Sequence, residues 1–228
     1  MTDLKKDFNK QVEAAAKSRF VADVFADMVR AMALSIEGTV ALGDRCDEIE
    51  KEFAAIKERY TDEEFSHFPA AFAITREALE RAREDFLGHA LESLGAANAR
   101  NGQFLTPVNV SRLMAKINCA KPLDYKPGQI VNLYDSACGT SVLLIEGAEA
   151  LLAAGVRQGD LLVIAGDIDG RACDASYVQL SLLGYPAIVQ HMDALTQRRI
   201  SPDRYTPGYF LHCLPMRGPR PKPPTTNH

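Results

Sequence analysis

Apolar residues recur at helical spacing through the first hundred positions of the chain. Val21, Val24, Phe25, Met28, Val29 and Met32 share one face, as do Ile49, Phe53, Ile56 and Tyr60; this spacing marks amphipathic helices with one side in a core. Gly38 and Gly43 punctuate the passage between the two faces. Thr61-Asp62-Glu63-Glu64 has the form of a capping box, and it precedes a third apolar face made by Phe65, Phe68, Phe72 and Leu79. Pro69 lies inside that stretch and is expected to kink or divide it. Phe86, Leu87, Leu91 and Leu94 form a fourth segment that stops at Gly95. The pattern predicts a helical N-terminal domain over residues 1–95, whose stripes are read as core.

The period then changes. Gly95 to Gly102 is small and polar and reads as a hinge. Thr106 is a good N-cap and Pro107 a good first residue for a helix carrying Val108, Val110, Leu113, Met114 and Ile117. Gly102-Gln103-Phe104 just before it is unusual for a linker and suits a loop lying over a ligand. A strand at Gln129–Leu133, a helix to about Ala154, a strand at Leu161–Ala165, a helix at Arg171–Leu183 and a strand from Ala187 towards Asp193 follow in alternation. Strands joined by helical crossovers predict half of a doubly wound parallel sheet, here over residues 96–200. After Leu195 the alternation fails, and seven of the chain's twelve prolines lie there. Only Tyr209–Leu214 is expected to add a strand, and residues 201–228 read as a Pro-rich basic tail, extended or disordered beyond Pro215.

Composition narrows the class without choosing the function. A hydrophobic fraction of 46% and a charged fraction of 25% are ordinary for a globular protein. No apolar run approaches the roughly 20 residues that span a bilayer, and the first residues are too polar for a signal peptide. Cys46, Cys119, Cys138, Cys173 and Cys213 are scattered without a CxxC pair. That argues against disulfides and zinc and for a reducing cytoplasm. Residues 1–100 hold 14 Lys/Arg against 20 Asp/Glu, whereas Thr196–His228 holds six basic residues against Asp203 alone. The basic end reads as a solvated tail, with phosphate contact as the sharper alternative.

The candidate chemistry lies at the first strand–helix junction, Asp135-Ser136-Ala137-Cys138-Gly139-Thr140-Ser141. A carboxylate ends the strand, a turn of small residues lets a ligand approach the backbone, and a helix amino end follows. Asp167 ends the second strand and Asp193 the third. Acidic strand ends beside such a turn fit either a dinucleotide site or an S-adenosylmethionine site.

The residues themselves favour the second. Asp135-Ser136-Ala137-Cys138-Gly139-Thr140-Ser141 resembles the Asp-Pro-Ala-Cys-Gly-Thr-Gly cofactor loop of the adenine N-6 DNA methylases, which include the modification subunits of type I restriction systems. Gly102-Gln103-Phe104-Leu105-Thr106-Pro107 with Leu113-Met114 resembles their upstream motif. Asp85-Phe86-Leu87-Gly88 is similar to the Asp-x-Leu-Gly segment that closes their helical region. Asp167-Ile168-Asp169, Gln179-Leu180-Ser181-Leu182-Leu183-Gly184 and Met192-Asp193-Ala194-Leu195 follow in the family's order.

The resemblance implies a helical domain followed by a partial Rossmann-like, S-adenosylmethionine-dependent core that methylates adenine amino groups in DNA. Asp135, Ala137, Cys138, Gly139 and Thr140 would cradle the methionine moiety, Asp167 the ribose and Asp193 the adenine, with Gln103, Phe104, Thr106 and Pro107 closing over them. Cys138 reads as a turn residue rather than a nucleophile, Asp169 and Asp174 as surface or capping carboxylates, and His191 and His212 as ordinary polar residues. Ser136 and Ser141 replace the family's proline and second glycine. The family's catalytic Asn/Asp-Pro-Pro-Tyr/Phe has no counterpart beyond Leu214-Pro215-Met216, so no catalytic residue is assigned. The rival expectations are a catalytically reduced homologue that binds cofactor or DNA or completes a site with a partner subunit or second copy, and a methyltransferase acting on a small molecule or protein.

Overall fold

The computed structural model describes residues 2–95, 108–119 and 124–213. Helices α1 (Thr2–Ala15), α2 (Val21–Glu37), α3 (Asp44–Lys57), α4 (Asp62–Phe65), α5 (His67–Arg81) and α6 (Phe86–Ser93) come first. The buried face of α2 holds Val24, Phe25, Met28, Val29 and Met32, the stripe expected from spacing. Gly38 ends that helix, and Gly43 begins α3 with φ +62. The capping box is formed at Thr61: its hydroxyl accepts from the Glu64 amide at 3.2 Å, and Glu64 accepts from the Thr61 amide at 2.9 Å. The chain divides at Ser66, so Pro69 falls in the first turn of α5, where a missing amide proton costs least.

The second layer contains α7 (Val108–Cys119), β1 (Val131–Asp135), α8 (Val142–Ala153), β2 (Leu161–Asp167), α9 (Gly170–Leu182) and β3 (Ala187–Asp193). β1 pairs with β2 and β2 with β3, all parallel, with Leu133 opposite Val163 and Val163 opposite Ala187. This is a mixed α/β fold with a parallel-rich sheet. The face carrying Leu133 meets α8, and a Cβ on Gly147 would stand 3.1 Å from the Leu133 side chain. The opposite face leaves Tyr134 52% exposed. Among the described residues no strand pairs with the outer edge of β1.

α9 lies between the sheet and α2 and is buried continuously from Cys173 to Leu180. The apolar interiors of the helical layer and the sheet layer therefore form one continuous core, running from Phe8 and Met28 to Tyr177 and Val189. Charges cross the same junction. Arg204 donates to Glu37 at 3.0 Å and to Asp174 at 2.6 Å, Arg30 also pairs with Asp174, and Arg45 also pairs with Glu37.

Three expectations are corrected here. The described part of the strand expected at Tyr209–Leu214 is not a strand: α10 (Pro207–His212) starts at Thr206, which caps it, with Pro207 as its first residue. The same Thr-Pro signal predicts a helix start elsewhere, and here it prevails over the apolar run. Asp174 is neither at the surface nor a cap, because its carboxylate is only 12% exposed between two guanidinium groups. Finally, the sheet continues past 200 through β5 (Arg204–Tyr205), which like β4 (Arg198–Arg199) pairs antiparallel with β3, so Arg204 belongs to the interior rather than to a solvated end. Leu214, Pro215 and the rest of the expected tail lie outside the described residues. Among the described residues no helix is long and apolar enough to cross a membrane.

Candidate functional site

Parallel pairing brings the carboxyl ends of β1, β2 and β3 to one edge of the sheet, where they end in Asp135, Asp167 and Asp193. The register staggers them: Asp135 stands opposite Ala165, and Asp167 opposite His191. Each acidic side chain folds back onto the backbone that follows it. Asp135 accepts from the Ala137 amide at 3.0 Å and Asp167 from the Asp169 amide at 2.9 Å. Asp193 accepts from Leu195 and Thr196 through the same oxygen, Oδ1. The Thr196 side chain, these two amides and the nearby Arg198 hold the Asp193 carboxyl below its usual range.

The turn after β1 is tied to β2 twice. The Gly139 amide donates to Asp167 Oδ2 at 2.8 Å, and the Cys138 amide donates to the Gly166 carbonyl at 2.9 Å. Gly139 has φ +54, and nothing stands within 4 Å of where its Cβ would be, so space lies open above the backbone there. Ser141 occupies a left-handed conformation, φ 77, at the position where the resembled family has glycine. Its hydroxyl donates to Ser176 on α9 at 2.7 Å, and Ser176 donates to the Gly139 carbonyl at 2.8 Å. That pairing satisfies a buried hydroxyl in a conformation that glycine would adopt without one.

The expected site residues divide by orientation. Asp135, Ala137, Gly139 and Asp167 are brought together with some exposure, whereas Cys138 and Thr140 turn their side chains inward. Burial pushes the Cys138 thiol up to about 12, which keeps it protonated and suits a packing role. Thr140 gives its hydroxyl to Asp85 at 2.6 Å. Asp193 ends the neighbouring strand, with no bond to the other expected residues among those described. Gln103, Phe104, Thr106 and Pro107 lie outside the described residues. Asp169 caps α9 by accepting from Arg171, and His191 meets the Ile168 carbonyl.

Sequence reasoning gave no role to several neighbours that matter. Ile168, directly after Asp167, is 64% exposed, and Leu195, two residues after Asp193, is 96% exposed. Both are apolar surfaces on which a flat ring could lie, and their signal was the apolar residue following each acidic strand end. Ser176 and Gln179 support the turn from α9, one helical turn apart. A cavity of about 850 Å³ lies elsewhere, between α2, α3, the start of α9 and Asp203–Tyr205. It is lined by paired charges and touches none of the three acidic strand ends.

No curated protein and no solved structure matches the chain. The model of the N-6 DNA methylase family matches residues 82–173, a stretch that runs from just before Asp85 through the turn and Asp167 into α9. That match makes the chain similar to the N-6 DNA methylase family over the very segment that builds the turn and its supports.

Proposed function

We propose that the chain binds S-adenosylmethionine at the carboxyl edge of β1–β3 and serves methyl transfer to the amino group of adenine in DNA. The observation that carries this reading is the turn itself: an open backbone at Gly139, gripped by the ribose-side candidate Asp167, inside the matched segment. The residues fit the group. Each Asp167 oxygen accepts one backbone amide and retains acceptor capacity for a hydroxyl. Ile168 and Leu195 offer apolar faces to an adenine ring, and Asp193 Oδ2 would accept from its amino group. Asp135 and the backbone of Ala137 and Gly139 would hold the amino-acid end. S-adenosylmethionine supplies an electrophilic methyl group on its sulfonium. The chain's own part is to bind and orient that group beside a DNA base.

Calorimetric titration with S-adenosylmethionine tests the site. Saturable binding that is lost in Asp135→Ala and Asp167→Ala supports it, and wild-type protein that binds none overturns it. Transfer of labelled methyl groups to unmethylated DNA then tests the reaction.

A second reading has its own support. The sequence carries no Asn/Asp-Pro-Pro-Tyr/Phe, whose acceptors and ring would polarise and stack a flipped adenine. The described sheet also leaves the outer edge of β1 without a strand. Both favour a cofactor- or DNA-binding homologue, or a subunit whose site a partner completes. Methyl transfer to DNA by the purified chain alone would remove this reading.

A further inference from the structure

Asp85 is a charged group in the interior with no ion pair among the described residues. It is 3% exposed, at the amino end of α6, and burial pushes its carboxyl above the ordinary range. Oδ1 accepts from the Gly88 amide and from Gln179 Nε2, both at 2.8 Å, and Oδ2 accepts from the Thr140 hydroxyl at 2.6 Å. The first bond is an ordinary helix cap, which serine or asparagine would make without burying a charge. The other two reach the turn and α9, elements that follow it by 55 and 94 residues.

Gln179 closes the arrangement. Its amide nitrogen also donates to the Thr140 carbonyl at 2.7 Å, and its oxygen accepts from the Leu87 amide at 3.0 Å. Thr140 is thus held at both its hydroxyl and its carbonyl, and every polar atom of the Gln179 amide that is within reach points into the same junction. The contact needs glycine at 88, since a Cβ there would stand 2.1 Å from Asp85 Oδ2 and 2.6 Å from the Thr140 hydroxyl. An ionised acceptor makes a shorter and stronger bond to a hydroxyl than a neutral one. That bond is the feature a neutral cap would lack.

We infer that Asp85 is a positioning residue for the Asp135–Ser141 turn, fixing the geometry of the candidate cofactor site from the helical layer through Thr140 and Gln179. The inference rests on the reading that this turn holds the cofactor only for its functional meaning; the mechanical claim stands on the apo protein.

The test is amide hydrogen exchange of the full chain, read on peptides spanning the hydrogen-bonded turn amides of Ala137, Cys138, Gly139 and Ser141. Asp85→Ala is compared with Val12→Ala, a fully buried helical-layer substitution remote from the turn that serves as the stability control. At matched global stability, Asp85→Ala is expected to speed turn exchange about tenfold or more over Val12→Ala, as loss of a bond to a charged group implies. Asp85→Asn keeps the Gly88 and Gln179 bonds through its oxygen but replaces the charge-assisted Thr140 bond by a neutral one, so it is expected to restore only part of the protection. Equal turn protection in Asp85→Ala and Val12→Ala overturns the inference. Should Asp85→Ala not fold, Thr140→Val leaves the helix cap intact and carries the same expectation. Titration of the wild type with S-adenosylmethionine separates the two ideas: deprotection by Asp85→Ala without cofactor binding keeps the positioning role and retires the cofactor reading.

Discussion

Removing Arg204 should loosen the junction between the helical and sheet layers. Its guanidinium donates to Glu37 at 3.0 Å and to Asp174 at 2.6 Å, and its carbon lies 4.0 Å from the Tyr177 ring centroid. All three charged side chains are only 11–12% exposed. Deleting one partner of a buried pair typically costs about 3–5 kcal/mol, mostly because the other charge is left uncompensated. Two features temper that here. Glu37 keeps Arg45 and Asp174 keeps Arg30, each at 2.8 Å, and methionine would retain much of the packing on Tyr177. The expected loss for Arg204→Met is therefore about 3 kcal/mol, equivalent to a fall in Tm of roughly 6–12 °C for a chain of this size. The chain has no tryptophan, so urea and thermal unfolding are best followed by far-ultraviolet circular dichroism. Neutralising the partly compensated carboxylates in Arg204→Met/Glu37→Gln/Asp174→Asn should recover about half of the loss if uncompensated charge is its source, since Arg30 and Arg45 keep Glu52 and Glu48 as partners. A single-variant loss below about 1 kcal/mol, the range of an exposed pair, would refute the reasoning. A triple variant no more stable than the single would refute it equally.

Three further outcomes are expected. Ser141→Gly should change stability by less than about 1 kcal/mol, because relief of the left-handed backbone offsets the lost hydroxyl bond and the freer unfolded chain; equilibrium denaturation checks it. Bonds from Arg157, Tyr125 and the Gly128 amide hold the Asp160 carboxyl down, to about 2. Its stabilising contribution is complete above the ordinary aspartate pKa of about 4 and is lost as pH falls towards 2. Asp160→Asn should flatten that acid limb of a stability–pH profile, and an unchanged limb would sink the assignment. Gly208→Ala should destabilise by about 1–3 kcal/mol, since its Cβ would come within 2.7 Å of the Tyr185 carbonyl and 2.8 Å of that of Gly184; a Tm equal to wild type would contradict this packing.

The parts of the fold legible in the sequence were those with local signals. The α2 stripe, the Thr61 capping box and the strand–turn–helix at Asp135–Ser141 each declare themselves within a dozen residues, and the structure contains them. Long-range satisfaction was not legible. Arg30 meets Asp174 across 144 positions and Arg204 meets Glu37 across 167, so nothing beside Asp174 distinguishes it from a surface carboxylate. The two-residue strands β4 and β5 are too short to show a period, being set by pairing with β3 rather than by their own pattern. At Tyr209–Leu214 the local signal was present, and the apolar run masked it: Thr206-Pro207 reads as a helix start once the run is seen to be only one helical turn longer. Within the candidate site, the family resemblance pointed to Thr140 and Cys138 but could not reveal that their side chains face inward, because that depends on Asp85 and Ser176 arriving from other elements.

The serine pair at the turn also orders the routes by which this sequence can change. With Ser141 in place, replacing Ser176 by alanine strands a buried hydroxyl and deprives the Gly139 carbonyl of its donor, a penalty of about 1–3 kcal/mol. With glycine already at 141 no hydroxyl is stranded, since only the Gly139 carbonyl and the Cys138 thiol lose a contact, and the second replacement is correspondingly milder. A two-step exchange of this pair is therefore easy in one order and hindered in the other. Glycine at 141 opens position 176 to drift, whereas serine at 141 locks it.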